Sequence, residues 1–249
     1  TIDSDIKSVK TNKDIYQSKN IIIATGGLSY SNTGSTGDGY VFAKSINQKT
    51  TDLYPAETFV ITKDKYPLEG ITLDYVSISF ENKRIVGPLL FTHVGLSGPN
   101  IFKISGNIYK KLKSSSEASI FIDFIPNISD NDLSNIIING DQNREVVTLL
   151  KEYLPRRLAE FICFNNKKIN TLTKLERIEL INKIKKYQID ILATGTIEQS
   201  FITGGGVDMN YINSKTMESI INKGIYFVGE LLDIHGPIGG YNITLAMST

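Results

Sequence analysis

Short apolar runs followed by glycine lie near both ends of the chain. The run 20–25 contains three consecutive isoleucines and leads directly into Gly26 and Gly27. A run of this length without alternating polar residues is typical of a parallel strand that is buried on both faces. A second run, 225–228, is followed by the glycine-rich loop 229–240. Each end of the chain therefore predicts a strand that ends in a glycine loop.

Helical spacing follows both glycine loops. Apolar residues recur at this spacing from Tyr40 to Ile46, after a stretch of Ser, Thr, Asn and Gly. The residues after Gly240 indicate the first turns of another helix. Strands that alternate with helices predict an α/β domain, to which both ends of the chain contribute.

The middle of the chain has two other patterns. Short alternating stretches between turn residues, such as 71–80 and 118–124, predict an antiparallel sheet or a small barrel. Between 130 and 187 the spacing predicts two to four helices, with Asp130 as the cap of the first. The predicted boundaries are 1–55 and 201–249 for the α/β domain, 56–128 and 186–200 for the β-barrel, and 129–185 for a helical subdomain.

Charge and cysteine content restrict the expected partners and cellular location of the protein. The chain has 27 basic and 26 acidic residues, so its overall charge does not attract nucleic acid or an anionic membrane. No apolar run approaches the roughly 20 residues that cross a bilayer. The single cysteine, Cys163, cannot form an internal disulfide. These features favour a cytoplasmic protein that acts on a small-molecule substrate.

The two glycine loops carry the candidate binding residues. Ligands of open α/β sheets bind beyond the carboxyl ends of the strands, and glycine lets backbone amides approach a phosphate or a flat ring. Acidic residues after the second strand can accept hydrogen bonds from sugar or ribityl hydroxyls. The same pattern also fits packing glycines and a helix start with two solvated acids. The candidate cofactor-binding residues are Thr25, Gly26, Gly27, Gly229, Glu230, Asp233, Gly239, Gly240, Tyr241 and Asn242.

Other kinds of site have less support. The loop 31–39 lacks the Gly-Lys-Ser/Thr ending of an NTPase P-loop, so nucleotide hydrolysis is not predicted. Neither histidine has the spacing of a metal ligand, so no metal site is predicted. His93 and His235 are the candidate acids or bases, although each also fits a structural or solvated turn residue. A third cluster, 204–206, fits either a turn or a close backbone approach to a ligand. Oxidation–reduction chemistry would have to belong to a bound cofactor.

Longer motifs recur throughout the chain. They are ATGGLSY (24–30), TGSTGDGY (33–40), YPA (54–56), LFTHVGLSGP (90–99), LPRRL (154–158), GGVD (205–208), KTMES (215–219), GELLD (229–233) and GGYN (239–242). In this combination and order they resemble the HI0933-like family of bacterial flavoproteins, over essentially the whole chain.

The resemblance implies a fold and an activity. The implied fold is an FAD-binding domain of the glutathione-reductase type, of mixed α/β and α+β class, with an inserted elongation-factor-like barrel and a helical part. The implied activity is that of an FAD-dependent oxidoreductase, which moves a hydride between its substrate, the flavin and either NAD(P)H or oxygen. Members of the family are linked to aminoacetone oxidation and bile-acid conversion.

One family feature is missing from the sequence. Such proteins begin with a strand and a Gly-x-Gly-x-x-Gly turn that holds the FAD pyrophosphate, followed by an acidic residue for the adenosine ribose. We therefore expect that the chain is a piece of a longer protein and that it binds FAD weakly or not at all by itself. An uncovered apolar sheet also favours self-association of this piece.

Two alternatives remain. In the first, the insert is a binding module for a partner or RNA, and the glycine loops are only turns. In the second, the protein is a tRNA-modifying flavoprotein. A basic, aromatic face on the barrel would favour RNA, whereas the interleaved charges of the insert argue against it.

Overall fold

The computed structural model describes residues 6–163 and 167–249. It divides into two compact units, which we call the terminal unit (Thr1–Thr58 with Gly195–Thr249) and the barrel unit (Phe59–Thr194). The strands are β1 (Lys7–Lys10), β2 (Ile15–Ser18), β3 (Ile21–Ile23), β4 (Tyr54–Ala56), β5 (Val60–Thr62), β6 (Thr72–Phe80), β7 (Lys83–Phe91), β8 (Gly95–Ser97), β9 (Ala118–Asp123), β10 (Tyr187–Thr194), β11 (Ile202–Gly204) and β12 (Ile225–Phe227). The α-helices are α1 (Asp38–Ser45), α2 (Pro99–Ser115), α3 (Asp130–Asn139), α4 (Val146–Leu150), α5 (Arg156–Ile162), α6 (Lys174–Lys185) and α7 (Tyr241–Ser248).

The terminal unit is built on the two predicted strands. β3 and β12 pair in parallel, with Phe227 opposite Ile23. This confirms both strands and their parallel direction. The expected burial of the first strand on both faces was wrong, because Ile22 is 67% exposed. The helices predicted after the two glycine loops are α1 and α7. Phe227, Leu231 and Val207 are fully buried in the apolar core of this unit.

Smaller pairings complete the terminal unit. β1 and β2 form an antiparallel hairpin, and β4 pairs antiparallel with β11. The segment 195–200 also belongs to this unit, because the Ser200 hydroxyl lies 3.0 Å from that of Ser29. The division between the units therefore falls after Thr58 and after Thr194, whereas the sequence pattern placed it after residues 55 and 200.

The barrel unit contains the predicted small barrel. Its six strands close in the order β10-β5-β8-β7-β6-β9. Side chains alternate across each strand, so that Ile120 and Ile122 of β9 are buried while Phe121 is exposed. The interior is a single apolar core that extends into the helices beside the barrel.

A long helix of this unit is absent from the sequence prediction. α2 has 17 residues, starts with Pro99, and buries Ile101, Ile104 and Ile108. Proline suits the first helical position because its missing N–H would have no helical partner there. The three isoleucines lie on one face at helical spacing and pack into the core.

The predicted helical segment contains α3, α4, α5 and α6. The prediction that Asp130 caps the first helix was wrong, because Ser129 occupies the cap and its hydroxyl accepts from the Asp132 amide at 3.1 Å. Asp130 is instead the first helical residue, where its charge still favours the helix dipole. Cys163 follows α5, and burial raises the pKa of its thiol to about 11. Among the described residues, no helix has the length and apolar content that crossing a bilayer requires.

Candidate functional site

The two predicted glycine loops meet at one edge of the β3–β12 sheet. Because these strands are parallel, their carboxyl ends lie side by side, and the Val228 amide donates to the Ile23 carbonyl at 3.2 Å. Gly26 and Gly229 each have φ near +70°, a backbone conformation that favours glycine. The structure thus brings the first and second candidate loops to the edge where ligands of such sheets bind.

Thr203 ties these two loops together. Its hydroxyl accepts from the amides of Leu28 and Ser29 at 2.8 and 3.0 Å. Its own amide donates to the Glu230 carboxylate at 2.9 Å. Thr203 is buried and lies on β11, far from both loops in sequence. One carboxylate oxygen of Glu230 therefore holds Thr203 in place. The sequence pattern did not indicate Thr203 as a site residue.

Asp233 has a similar positioning role. The Thr51 hydroxyl donates to its carboxylate at 2.8 Å and accepts from the Gly206 amide at 3.0 Å. The Asp233 amide donates to the Val207 carbonyl at 2.9 Å. This carboxylate consequently holds the segments around residues 51 and 206 against the loop that follows β12.

The start of α7 forms the third part of the site. Gly239 and Gly240 have φ values of 136° and 92°, and Gly240 caps the helix. The Asn242 side chain closes the preceding turn, since it accepts from the Gly236 amide at 2.8 Å and donates to the Gly236 carbonyl at 3.0 Å. Tyr241 is exposed. The first amides of α7 are thereby presented on an ordered turn.

Glu57 is a buried carboxyl that sequence analysis did not identify. The Asn242 amide donates to it at 3.4 Å. Burial raises the pKa of Glu57 above its ordinary value, and the hydrogen bond from Asn242 opposes part of that change. Tyr40 also stays protonated, because burial and the charges of Glu230 and Asp233 raise its pKa.

The Glu57→Gln variant is expected to become more stable relative to the unmodified chain as the pH rises. A carboxyl with a raised folded-state pKa contributes stability below its unfolded pKa, and this contribution is lost as the pH rises through the folded value. Glutamine cannot ionise, so it avoids that loss. Urea unfolding of both proteins between about pH 4 and pH 8, which spans ordinary carboxyl titration, measures the difference.

Glu198→Gln is the matched control with the opposite sign. Glu198 is exposed, and the Thr196 hydroxyl lowers the pKa of its carboxyl. Its stabilising contribution is present at high pH and is lost as the pH falls. Parallel pH profiles for the two variants would contradict the assignment of Glu57 as a buried carboxyl that resists ionisation.

A pocket of about 240 Å³ lies within the terminal unit beside these elements. Most of its wall is apolar, and four candidate residues contribute polar groups, namely Gly229, Glu230, His235 and Asn242. Pockets that enclose a whole drug-sized ligand measure about 300–1,000 Å³. This pocket therefore suits one ring system of a larger ligand. The apolar lining residues are Phe201, Ile202, Ile234, Ile243, Leu245 and Ala246.

Thr25, Gly26, Gly27 and His93 lie outside this pocket. Thr25, Gly26 and Gly27 occupy the neighbouring strand end, and the Thr25 hydroxyl is buried without a hydrogen-bond partner among the described residues. His235 lies in the pocket wall and packs edge-on against Tyr54, with ring centroids 6.1 Å apart. The other candidate histidine, His93, is exposed in the turn between β7 and β8 of the barrel unit. Across the described residues, no cluster of three metal-ligating side chains occurs.

The chain is similar to one protein family and to several named enzymes. The family model described as HI0933-like protein Rossmann domain matches residues 1–249. The ribosomal RNA dihydrouridine synthase of Haemophilus influenzae is 32% identical over 97% of the chain and 61% of its own length. The enzyme of the same name from Escherichia coli is 28% identical over 92% of the chain and 58% of its length. The 3-dehydro-bile acid delta(4,6)-reductase of Clostridium scindens is 27% identical over 92% of the chain and 59% of its length. The chain thus spans about three fifths of each of these relatives.

Proposed function

The chain belongs to the HI0933-like Rossmann family, and from this we propose that it forms part of a flavin-dependent reductase. The pocket at the carboxyl edge of the β3–β12 sheet is the observation that carries this proposal. FAD supplies hydride-transfer chemistry when bound, and the protein's contribution is to bind, orient and shield the reacting groups. We further propose the glutathione-reductase arrangement for the complete FAD-binding domain.

The residues of the terminal unit fit a flavin in three respects. The apolar wall of the pocket suits a flat ring, and the start of α7 presents amides and a helix dipole that favour a polarised or anionic group. Glu230 and Asp233 have carboxylate oxygens for sugar hydroxyls while their protein hydrogen bonds fix both loops.

The names of the relatives indicate the type of substrate. Dihydrouridine differs from uridine by two hydrogen atoms across a carbon–carbon double bond, and a delta(4,6)-reductase likewise acts on carbon–carbon double bonds. We propose that the substrate of this chain contains such a bond. Uridine in RNA is the first candidate because two of the three relatives are named ribosomal RNA dihydrouridine synthase. NAD(P)H is the proposed source of electrons.

Saturation of a double bond requires a hydride at one carbon and a proton at the other. His235 lines the pocket, so it is the histidine placed to hold that proton. Glu57 connects to the same pocket through Asn242, and the raised pKa of its carboxyl favours the protonated form. Both groups therefore have proton-holding roles in the proposal, with His235 in the pocket wall and Glu57 behind Asn242.

Flavin binding tests the proposal directly. Ala246 lines the pocket and is exposed, so Ala246→Trp fills the pocket without removing buried atoms. Equilibrium titration of flavin fluorescence, with the chain and with the complete product of its gene, is expected to show at least roughly tenfold weaker binding in this variant, equivalent to a free-energy loss of about 1.4 kcal/mol.

Met247→Trp is the matched control. Met247 is the next residue of α7, is 84% exposed and does not line the pocket. Its affinity for flavin is expected to stay at the level of the unmodified chain. Equal affinities for both variants would place flavin elsewhere, and a complete gene product that leaves flavin fluorescence unchanged would refute the flavoprotein assignment.

A further inference from the structure

Four side chains form a row across the outside of the barrel. Arg84 of β7 is the cross-strand partner of Ser79 on β6, Ser79 is the partner of Phe121 on β9, and Phe121 is the partner of Gln188 on β10. Directly opposed residues of antiparallel strands share one face of the sheet. The row therefore places an aromatic ring between a hydroxyl and an amide, with a guanidinium beyond the hydroxyl.

The row borders the wall of a cavity of about 760 Å³. This volume lies within the range of about 300–1,000 Å³ that is usual for ligand sites. Phe121 is 44% exposed, so much of its ring is open to solvent. The cavity is also lined by the loop after β9 and the first turn of α3, with Pro126, Asn127, Ile128, Ser129, Asp130, Asn131 and Asp132.

Charged groups of both signs line this cavity. Asp123 is paired with the buried ammonium of Lys185 at 2.9 Å, which compensates its charge. Arg84 donates to the Ser77 hydroxyl at 2.6 Å and lies 3.6 Å from Asp123, yet its side chain is 61% exposed. Lys186 is also exposed on this side. Two cations thus remain open to a ligand.

Two acidic residues of α3 also line the cavity. Asp130 and Asp132 are exposed in the first turn of α3, and Asp132 accepts a hydrogen bond from the Ser129 hydroxyl. Carboxylates repel phosphates but accept hydrogen bonds from sugar hydroxyls. A ligand that matches these side chains carries an anionic group, hydroxyl donors and a flat ring.

We propose that this cavity binds a nucleotide of single-stranded RNA. The base stacks on Phe121, the phosphate pairs with Arg84 and Lys186, and ribose hydroxyls donate to Asp130 and Asp132. Stacking on aromatic rings and contacts to the 2′-hydroxyl are the usual means of recognising unpaired RNA. This inference rests on the RNA substrate of the proposed function and assigns the RNA contact to the barrel unit.

RNA affinity of the folded chain tests the inference without any enzymatic readout. The probe is a fluorescein-labelled oligouridine, followed by anisotropy at several salt concentrations. Phe121→Leu keeps apolar bulk but removes the ring, and is expected to weaken binding about 5- to 150-fold. Arg84→Gln is expected to weaken binding and to reduce the slope of log affinity against log salt by about 0.7.

Controls in the same unit separate the proposed contacts from general effects. Tyr75→Leu removes a 53% exposed ring and Arg156→Gln removes a 78% exposed guanidinium, neither of which lines the cavity. Both are expected to bind RNA like the unmodified chain. The deoxyuridine oligomer is expected to bind more weakly than the RNA, and Asp130→Asn is expected to reduce that preference.

Three results would overturn the inference. The first is that Phe121→Leu and Arg84→Gln bind RNA as tightly as the controls do. The second is that the chain binds RNA and DNA with equal affinity. The third is that it binds no RNA at about 50 mM salt, where phosphate contacts are strong. Unfolding curves show whether each variant is folded. Failure of RNA binding with intact flavin binding would refute this site alone, whereas the reverse would refute the flavin pocket alone.

Discussion

Gly205→Ala is expected to destabilise the terminal unit by roughly 2–5 kcal/mol, from backbone strain of about 1–2 kcal/mol and overpacking of about 1–3 kcal/mol. Gly205 has a φ of +79°, which a side chain opposes. A methyl group there would lie 2.1 Å from the Asp52 carbonyl oxygen. Because this oxygen belongs to the backbone, it cannot rotate away as a side chain could.

Gly206 is packed just as closely, so a small backbone shift cannot relieve the clash at Gly205. A methyl group on Gly206 would lie 2.6 Å from the Leu231 carbonyl oxygen, on another segment. The amide of Gly206 also donates to Thr51, which holds Asp233. The cluster 204–206 is therefore a close approach of backbone segments that support the candidate site.

Gly34→Ala separates clash from strain. Gly34 has a φ of +101°, but no atom lies within 4 Å of the methyl position. This variant is expected to lose only the strain component, about 1–2 kcal/mol. Urea unfolding of both variants measures the two free energies. Equal losses would mean that the chain around residue 52 moves to accommodate the added methyl.

The sequence predicted those elements whose pattern of apolar and polar residues is contained in a short stretch of the chain. The parallel strands were predictable because an apolar run is a property of neighbouring residues, and the barrel strands because their side chains alternate. α2 had an equally local signal, with Pro99 followed by isoleucines at helical spacing, and sequence analysis overlooked it. The cap of α3 was misassigned because Ser129 and Asp130 are both good cap residues, and only the backbone conformation selects one.

The candidate site was only partly predictable for a different reason. Thr203 organises it through contacts with Leu28 and Ser29, which are 175 and 174 residues away in sequence. Glu57 becomes a perturbed carboxyl only because the fold buries it. Contacts of this kind leave no periodic signal in the sequence.

The row on the barrel depends on strand register. Phe121 and Arg84 come together through Ser79, and a shift of one residue in any pair would turn the aromatic ring to the opposite face. In the sequence, basic and acidic residues alternate, and this order argued against an RNA surface. In the barrel, pairing of Lys185 with Asp123 leaves the Arg84 guanidinium largely exposed.

Lys185→Met is expected to destabilise the barrel unit by about 3–5 kcal/mol, the usual cost of breaking a buried ion pair by removing one partner. The Lys185 ammonium is buried and donates to the carbonyls of Ile125 and Ile128 at 2.7 and 2.5 Å. It also pairs with Asp123 at 2.9 Å. The methionine keeps the apolar stem but leaves a carboxylate and two carbonyls without this donor.

Lys183→Met on the same helix is the matched control. Lys183 pairs with the exposed Glu179, and such surface pairs contribute about 0–1 kcal/mol. Adding Asp123→Asn to Lys185→Met is expected to restore part of the stability, because no buried charge then lacks its partner. Urea unfolding of the single and double variants gives the coupling energy. A loss in Lys185→Met no larger than that in Lys183→Met would mean that water solvates Asp123 from the cavity, and that other contacts hold the loop after β9.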